Sequence, residues 1–597
     1  MSQRTKTGLE ILQVAVVLGI LGDVLLRQTP WGLNVLLFNL AFAGGVLMLL
    51  RRHAPERLTK QTYALIGALV FFASMFVWRD SIELRIADTF AIITILGVLF
   101  LPTLKISAQI AGVFQYAIGV VWAGLNSLFA AGALFGADIQ WNNLSTSGWR
   151  RHALAVFRGM LIATPLILIF GALFMAADAV YEGWVRRVFN IDFENFISHM
   201  VLLGLFGWLT AGYLRGIIFF GVENAQSETR PVASVPGSDT DLGAEKMSPL
   251  AQVRAESGEH PVVLPDNKTV VEHINISDPP VSGAEVRPSA RAFDPTHLST
   301  ARSEKSKESK TWSWANIDNS IVPGFTLGTV ETGVILGLVN LLFLSFVIFQ
   351  LPYLFGGMDL VQNTPDFKLA EYARRGFGEL VAVAALVLPM LLVGHWLLKK
   401  DKPAATTLFR VLAGIQIALL FVIMASAVQR LVLLTGNLGY GMTTVRLYPM
   451  IFMTWLAIVF ILFAATVLRN ARQYFAWAAL WSAFFILGAT HVLNPDAFIV
   501  RTNIALMQQG RDFDTSYISD LSDDAVPDLI DGLPSMSFED QCAVRGHLDQ
   551  RSTKAQEEVG LRSFNLSRYA AQQYFEAANG FPNEEGCPEF IPRHISD

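Results

Sequence analysis

The stretch LFRVLAGIQIALLFVIMASAVQRLVLL, residues 408–434, decides the fold class, since only Arg410 and Arg430 in it carry charge. A hydrocarbon core about 30 Å thick is spanned by about 20 mostly apolar residues in a helix. In lipid, every backbone polar group must be satisfied within the protein, which leaves helices and closed barrels. The apolar run is too long and too continuous for the alternating pattern of a barrel strand, so it predicts a transmembrane helix.

Working outward, the same reading predicts spans near 328–352, 377–398, 448–468 and 473–493. A first set lies near 8–26, 31–50, 62–78, 86–104, 153–177 and 196–220. Residues 108–136 are apolar but interrupted by Gln109, Gln115, Asn126 and Ser127. They read as a twelfth span, a re-entrant pair or an interfacial helix. Arg4 and Lys6 precede the first segment in the manner of a signal peptide, but no clean cleavage site follows, which predicts a retained helix. The expectation is an all-α, polytopic transmembrane bundle of about 11–12 spans with a small helical soluble appendage at the C-terminus.

Composition agrees. Of 597 residues, 52% are hydrophobic and only 16% charged, against about a quarter charged in soluble domains. A net charge of −5 and the lack of a basic, aromatic-interleaved module speak against a nucleic-acid partner. The chain divides into an N-terminal transmembrane half (1–223), a Pro-, Ser- and charge-rich linker (224–313) expected to be disordered, a C-terminal transmembrane half (314–493) and an acidic helical tail (494–597). Within the tail, Ser522 is placed to cap a turn at Asp523–Asp524 and Ser537 a turn at Glu539–Asp540. Residues 563–578 read as a further helix.

Short basic loops stay in the cytoplasm. Arg51-Arg52-His53 with Arg57 and Lys60, Lys399-Lys400-Asp401-Lys402, and Arg469 with Arg472 are the strongest. Placing all three inside gives a cytoplasmic N-terminus and an extracytoplasmic tail, with 108–136 kept on the inner side and eleven spans in all. Arg186-Arg187 and Arg374-Arg375 count against that arrangement. Cys542 and Cys587, the two cysteines, both lie in the tail. They read either as free thiols or as one disulfide, which an external tail would permit.

Ionisable groups in membrane segments are costly and are candidates for function. Asp23, Asp88, Arg158, Arg215, Glu331 and Arg430 fall in or near spans. Singly, such residues more often snorkel or fix helix packing. A buried pair of Asp88 with Glu331 would instead favour intramembrane chemistry. On the expected outer face gather Arg79 and Asp80, Asp178, Tyr372, Arg374, Arg375 and Glu379, Tyr440 and Arg446, and Asn494, Asp496 and Arg501. These are candidates to bind a polar ligand or, as the favoured reading, to dock the tail onto the bundle. His199, His395 and His491 have no metal-binding partner at helical spacing. No nucleophile elbow, phosphate loop or zinc motif is present, and no metal or cofactor is expected.

Four separated strings occur in order: EYARRGFGEL (371–380), GYGMTTVRL (439–447), LNPDAFIVRTNI (493–504) and SYISDLSDDAVPDL (516–529). With FMAADAVYEGW (174–184), they resemble a bacterial membrane family catalogued as domain of unknown function 4173, related to 4153. Val500-Arg501-Thr502-Asn503 departs from the family pattern at an aromatic position. The resemblance implies a multi-pass protein of the bacterial cytoplasmic membrane and carries no established activity. The favoured function is a non-enzymatic scaffold, sensor or envelope accessory protein, with protein partners reached through the linker and the tail. A transporter or lipid-handling protein is the alternative, and an intramembrane enzyme ranks third.

Overall fold

Long apolar runs become long helices, because a helix is the local structure that closes its own hydrogen bonds in lipid. The structure, a computed structural model, describes residues 2–27, 30–140, 193–228, 329–355, 377–398, 403–432, 435, 441–557, 560–578 and 587. The first half contains α1 (Gln3–Leu26), α2 (Leu33–His53), α3 (Lys60–Trp78), α4 (Ile82–Phe100), α5 (Val113–Ala133) and α6 (Phe193–Glu228). The second contains α7 (Thr329–Phe355), α8 (Phe377–Leu397), α9 (Pro403–Val432), α10 (Thr444–Thr466) and α11 (Phe475–Leu493). Among the described residues, eleven helices are long and apolar enough to cross a membrane. The expected span 153–177 and Arg158 lie outside the described residues. Helix α6 runs to Glu228, past the expected start of the linker at 224. The described residues all belong to one compact unit.

Contacts between helix ends fix the helix directions. His53 closes α2 and meets Glu10 Oε2 at 2.8 Å and Thr7 Oγ1 at 3.2 Å, near the start of α1. Arg57, just before α3, donates to the Ile217 carbonyl late in α6. Arg410 in the first turns of α9 donates to Asn470 Oδ1, between α10 and α11, at 2.6 Å. These ends share one pole of the bundle with Arg51, Arg52, Lys60, Lys105, Arg469 and Arg472, and we call it the basic pole. At the other pole, Asp23 near the end of α1 meets His199 Nδ1 at 2.6 Å, in the first turns of α6.

Helix α5 departs from this pattern. Gln61 at the start of α3 donates to Gln109 Oε1, just before α5, at 2.9 Å. Beyond its other end, Asp138 accepts from Arg4 Nε at 2.7 Å and Arg215 Nε at 2.5 Å. Both tethers are at the basic pole, so α5 lies across that pole instead of traversing the bundle. It crosses α4 at a glycine contact so close that a Cβ on Gly97 would stand 2.6 Å from the Val120 Cα. Of the three readings of 108–136, the geometry is that of the interfacial helix.

The first half packs around Ile11, Leu49, Leu65, Phe72, Ile95 and Phe100, the second around Ala384, Phe409, Leu420, Phe460 and Phe463. Helix α11 belongs to both: Phe475 packs in the second core, while Ala476, Leu480 and Phe484 pack in the first. Phe90, Phe349 and Phe485 point outward, 66%, 74% and 73% exposed, as expected of helices whose outer surface meets lipid rather than water.

The tail forms α12 (Pro495–Met507), α13 (Thr515–Ser519), α14 (Val526–Gly532), α15 (Phe538–Glu557) and α16 (Leu566–Ala577). Its own core joins Ile499, Val500, Val526, Leu529, Val544, Leu548 and Phe575, with Met442 and Leu447 from the entry to α10. Asn494 caps α12, with Pro495 in the first turn, the preferred residues at those positions. Ser537 accepts from the Asp540 amide as expected. Helix α16 begins later than expected, because Asn565 rather than Ser563 supplies the cap. Cys542 and Cys587 are joined in a disulfide.

Candidate functional site at the base of the appendage

The α3–α4 turn presents two sets of unsatisfied backbone groups. The last carbonyls of α3 have no partner within the helix, and neither do the amides of Asp80 and Ser81 just before α4. The appendage satisfies both. Asn565 Nδ2 donates to the carbonyls of Phe76 and Arg79 at 2.8 and 2.9 Å, and Ser567 Oγ donates to that of Trp78 at 2.8 Å. The same Asn565 side chain accepts from the amides of Ser567 and Arg568, starting α16. At the other side of the turn, Asp524 Oδ2 accepts from the amides of Asp80 and Ser81 at 2.7 and 3.1 Å. A carboxylate is well placed at the positive end of a helix dipole.

Asp524 is the hub. Its Oδ1 accepts from Arg79 Nη1 at 3.2 Å and shares the single Ser567 hydroxyl proton with the Trp78 carbonyl, and its side chain is 1% exposed. Arg79 also donates to the His491 carbonyl at 2.8 Å and lies over the Trp78 ring. Asp80 pairs with Arg85 and with Arg568 of α16. Asn494 Nδ2 reaches the Asp524 carbonyl at 3.5 Å. Ser522 stands at the expected cap position, but its hydroxyl bonds Asp496 instead of capping the turn. Burial pushes the Asp80 carboxyl up to about 6, with Asp523 and Asp524 adding to it and Arg85 and Arg568 opposing. Burial also pushes Asp496 up to about 6, against the hydrogen bonds from Ser522.

Three of the four strings singled out in the sequence converge here. Gly441 has φ +70°, and a Cβ there would stand 2.4 Å from Asn503 Oδ1, so both backbone and space call for glycine. Asn503 accepts from the Met442 amide at 2.7 Å and donates to its carbonyl at 2.8 Å. Thr444 N donates to the Tyr517 hydroxyl at 2.7 Å. Thus 441–447, 493–504 and 516–529 form one joint between α10 and the appendage. Arg446 closes the turn by donating to the Gly441 carbonyl. Arg501 donates to the Ala497 carbonyl in its own helix at 3.3 Å and makes a half-exposed 3.6 Å pair with Asp528, a contact worth little in water.

Of the sequence candidates, Arg79, Asp80, Asn494 and Asp496 meet around Asp524, and Arg446 and Arg501 lie at the adjoining joint. Asp178, Tyr372, Arg374, Arg375 and Tyr440 lie outside the described residues, as does the side chain of Glu379. Asp524, Asn565, Ser567 and Arg568 were not among the candidates, although Asp524 lies inside the last string. Nothing in local spacing marks a residue whose partner is 445 positions away.

Below the joint, His491 Nδ1 donates to the Leu487 carbonyl at 2.8 Å, and Nε2 faces Asp88 Oδ2 at 3.1 Å. Both residues are buried, at 0% and 1% exposure. Asp88 therefore pairs with His491. Glu331, at the start of α7, is exposed instead, so the Asp88–Glu331 pair that would have favoured intramembrane chemistry does not form. Among the described residues, no group of three metal-ligating side chains is assembled.

An all-α bundle of membrane-length helices, capped at one pole by a helical module locked through buried charge, defines a multi-pass integral membrane protein. The chain belongs to the family described as Domain of unknown function (DUF4153), whose model matches residues 66–240 and 292–532. The match is to this family, to which the 4173 family is related. No curated protein matches the chain, and no solved structure does.

Proposed function

We propose that the protein is a scaffold or sensor of the bacterial cytoplasmic membrane, a non-enzymatic accessory factor of the envelope. Its bundle holds the C-terminal appendage rigidly on the extracytoplasmic surface. Within its family we place it nearest to 4173, on the four strings quoted above. The observation that carries the reading is the Asp524 hub. There a buried carboxylate, two backbone amides, a guanidinium and a serine are mutually satisfied, so the appendage is locked to the α3–α4 turn and leaves those groups to no ligand. The basic pole supports the orientation, because Arg51, Arg52, Arg57, Lys60, Lys105, Arg469 and Arg472 would then be cytoplasmic, opposite the appendage. The disulfide supports it too, since such bonds persist in oxidising compartments. Protein partners are assigned to the linker 224–313 and the appendage.

Two reporters fused after Asp597, one active only outside the cytoplasm and one only inside, test the orientation. Activity of the external reporter alone is expected, and activity of the internal one overturns the reading. Asp524→Ala tests the lock. Removing one member of a buried, paired set costs about 3–5 kcal/mol, so the appendage should become sensitive to added protease while the bundle stays intact. An appendage as resistant as in the native chain would refute rigid presentation.

A further inference from the structure

Away from the appendage, a cavity of about 550 Å³ opens between the end of α2 and the start of α3, lined by Leu47, Met48, Arg51, Arg52, Leu58 and Tyr63. The geometry points to a binding site for an anionic phospholipid, its phosphate on Arg51 and Arg52 and its upper acyl chains against Leu47, Met48 and Leu58.

Five observations carry this. The volume lies in the range of small-molecule sites. The cavity sits at the basic pole, where α2 ends and Arg57 and Lys60 follow, at the level expected of headgroups. The walls divide as a phospholipid does, with aliphatic side chains on one part and two guanidiniums on the other. Guanidinium matches phosphate geometry in a way that a point charge does not. Arg51 is exposed and has no carboxylate partner among the described residues, while Arg52, also exposed, pairs with Glu10 at 3.1 Å. Tyr63, 53% exposed, brings an amphipathic ring of the kind enriched at membrane interfaces. The site depends only on the bundle and holds whichever way the protein faces.

The purified full-length protein in detergent would be titrated with phosphatidylglycerol or phosphatidylcholine of the same chains, and bound lipid counted by native mass spectrometry. Phosphatidylglycerol should be retained in preference. Arg51→Gln should weaken its retention about fivefold, the effect of one basic residue near an anionic surface. Met48→Trp, which fills the cavity and leaves every charge in place, should weaken it as well. Lys60→Gln, at the same pole but outside the cavity, should not. Equal retention of both lipids, an equal loss with Lys60→Gln, or no loss with Met48→Trp would overturn the site in favour of a diffuse basic surface. Displacement by millimolar glycerol phosphate would overturn it in favour of a site for free phosphate. Met48 is 48% exposed and Arg51 lies on the surface, so neither variant disturbs the core.

Discussion

Asp496 is 2% exposed, with one carboxylate oxygen held by Ser522 and the other without a hydrogen-bond partner. A carboxyl whose docked value is pushed up to about 6 binds its proton more readily docked than free, where its ordinary value is near 3.8. Between about pH 4 and 6 the docked state therefore holds more protons, and linkage makes docking strongest below that window, weaker through pH 6 and level above it. Asp80 acts with the same sign. His547 in α15, held low by burial, acts with the opposite sign on the folding of the appendage, so the informative comparison is a single variant. Asp496→Asn should flatten the pH dependence of hydrogen-exchange protection in α12 and α14 and raise protection at pH 7 by of order 3 kcal/mol. An unchanged profile would show that Asp496 is already ionised when docked. The neighbouring Asp88–His491 pair, by contrast, was visible in sequence only as two isolated ionisable residues, because neither helix carries any mark of the other.

At the scale of the element, α5 shows why hydropathy is a statement about solvent and not about direction. Val113–Ala133 is as apolar as the spans around it, and Phe114, Val121 and Phe129 are 64%, 60% and 72% exposed. Its course is set by its ends, Gln109 on Gln61 and Asp138 on Arg4 and Arg215. Single cysteines introduced as Gln109→Cys and Gln140→Cys should both be labelled by a membrane-impermeant thiol reagent from the same side of the membrane. The native cysteines are bonded to each other and give no background. Labelling from opposite sides would mean that α5 crosses. The boundaries of the other described spans were legible, since transfer of some twenty apolar residues into lipid outweighs most local preferences.

For the whole molecule, the disulfide closes a loop of 45 residues over the appendage. In the chain-entropy treatment such a loop is worth about 4 kcal/mol. Cys542→Ser should therefore loosen α15 and α16, detected as faster hydrogen exchange there, with α1–α4 unaffected. No difference between the variant and the native chain would mean that the thiols are reduced in the cell and the appendage faces the cytoplasm. Because α11 packs in both membrane cores and leads directly into α12, the appendage is continuous with the seam between the halves. Disturbance at the lock is expected to be felt at that seam first.

The sequence by itself determined the solvent of this protein, the type and most boundaries of its described helices, the basic pole and the presence of a helical tail. Each of these is written in runs of neighbouring residues, where hydropathy, charge and capping act locally. It also marked three of the strings that meet at the joint, without revealing that they meet. Only the tertiary structure decided that Asp524 takes the amides just before α4, that Asn565 and Ser567 complete the end of α3, that Asp88 faces His491 rather than Glu331, and that α5 lies across the basic pole. Those outcomes rest on single hydrogen bonds and charge pairs between residues tens to hundreds of positions apart, and such pairings leave no periodic trace along the chain.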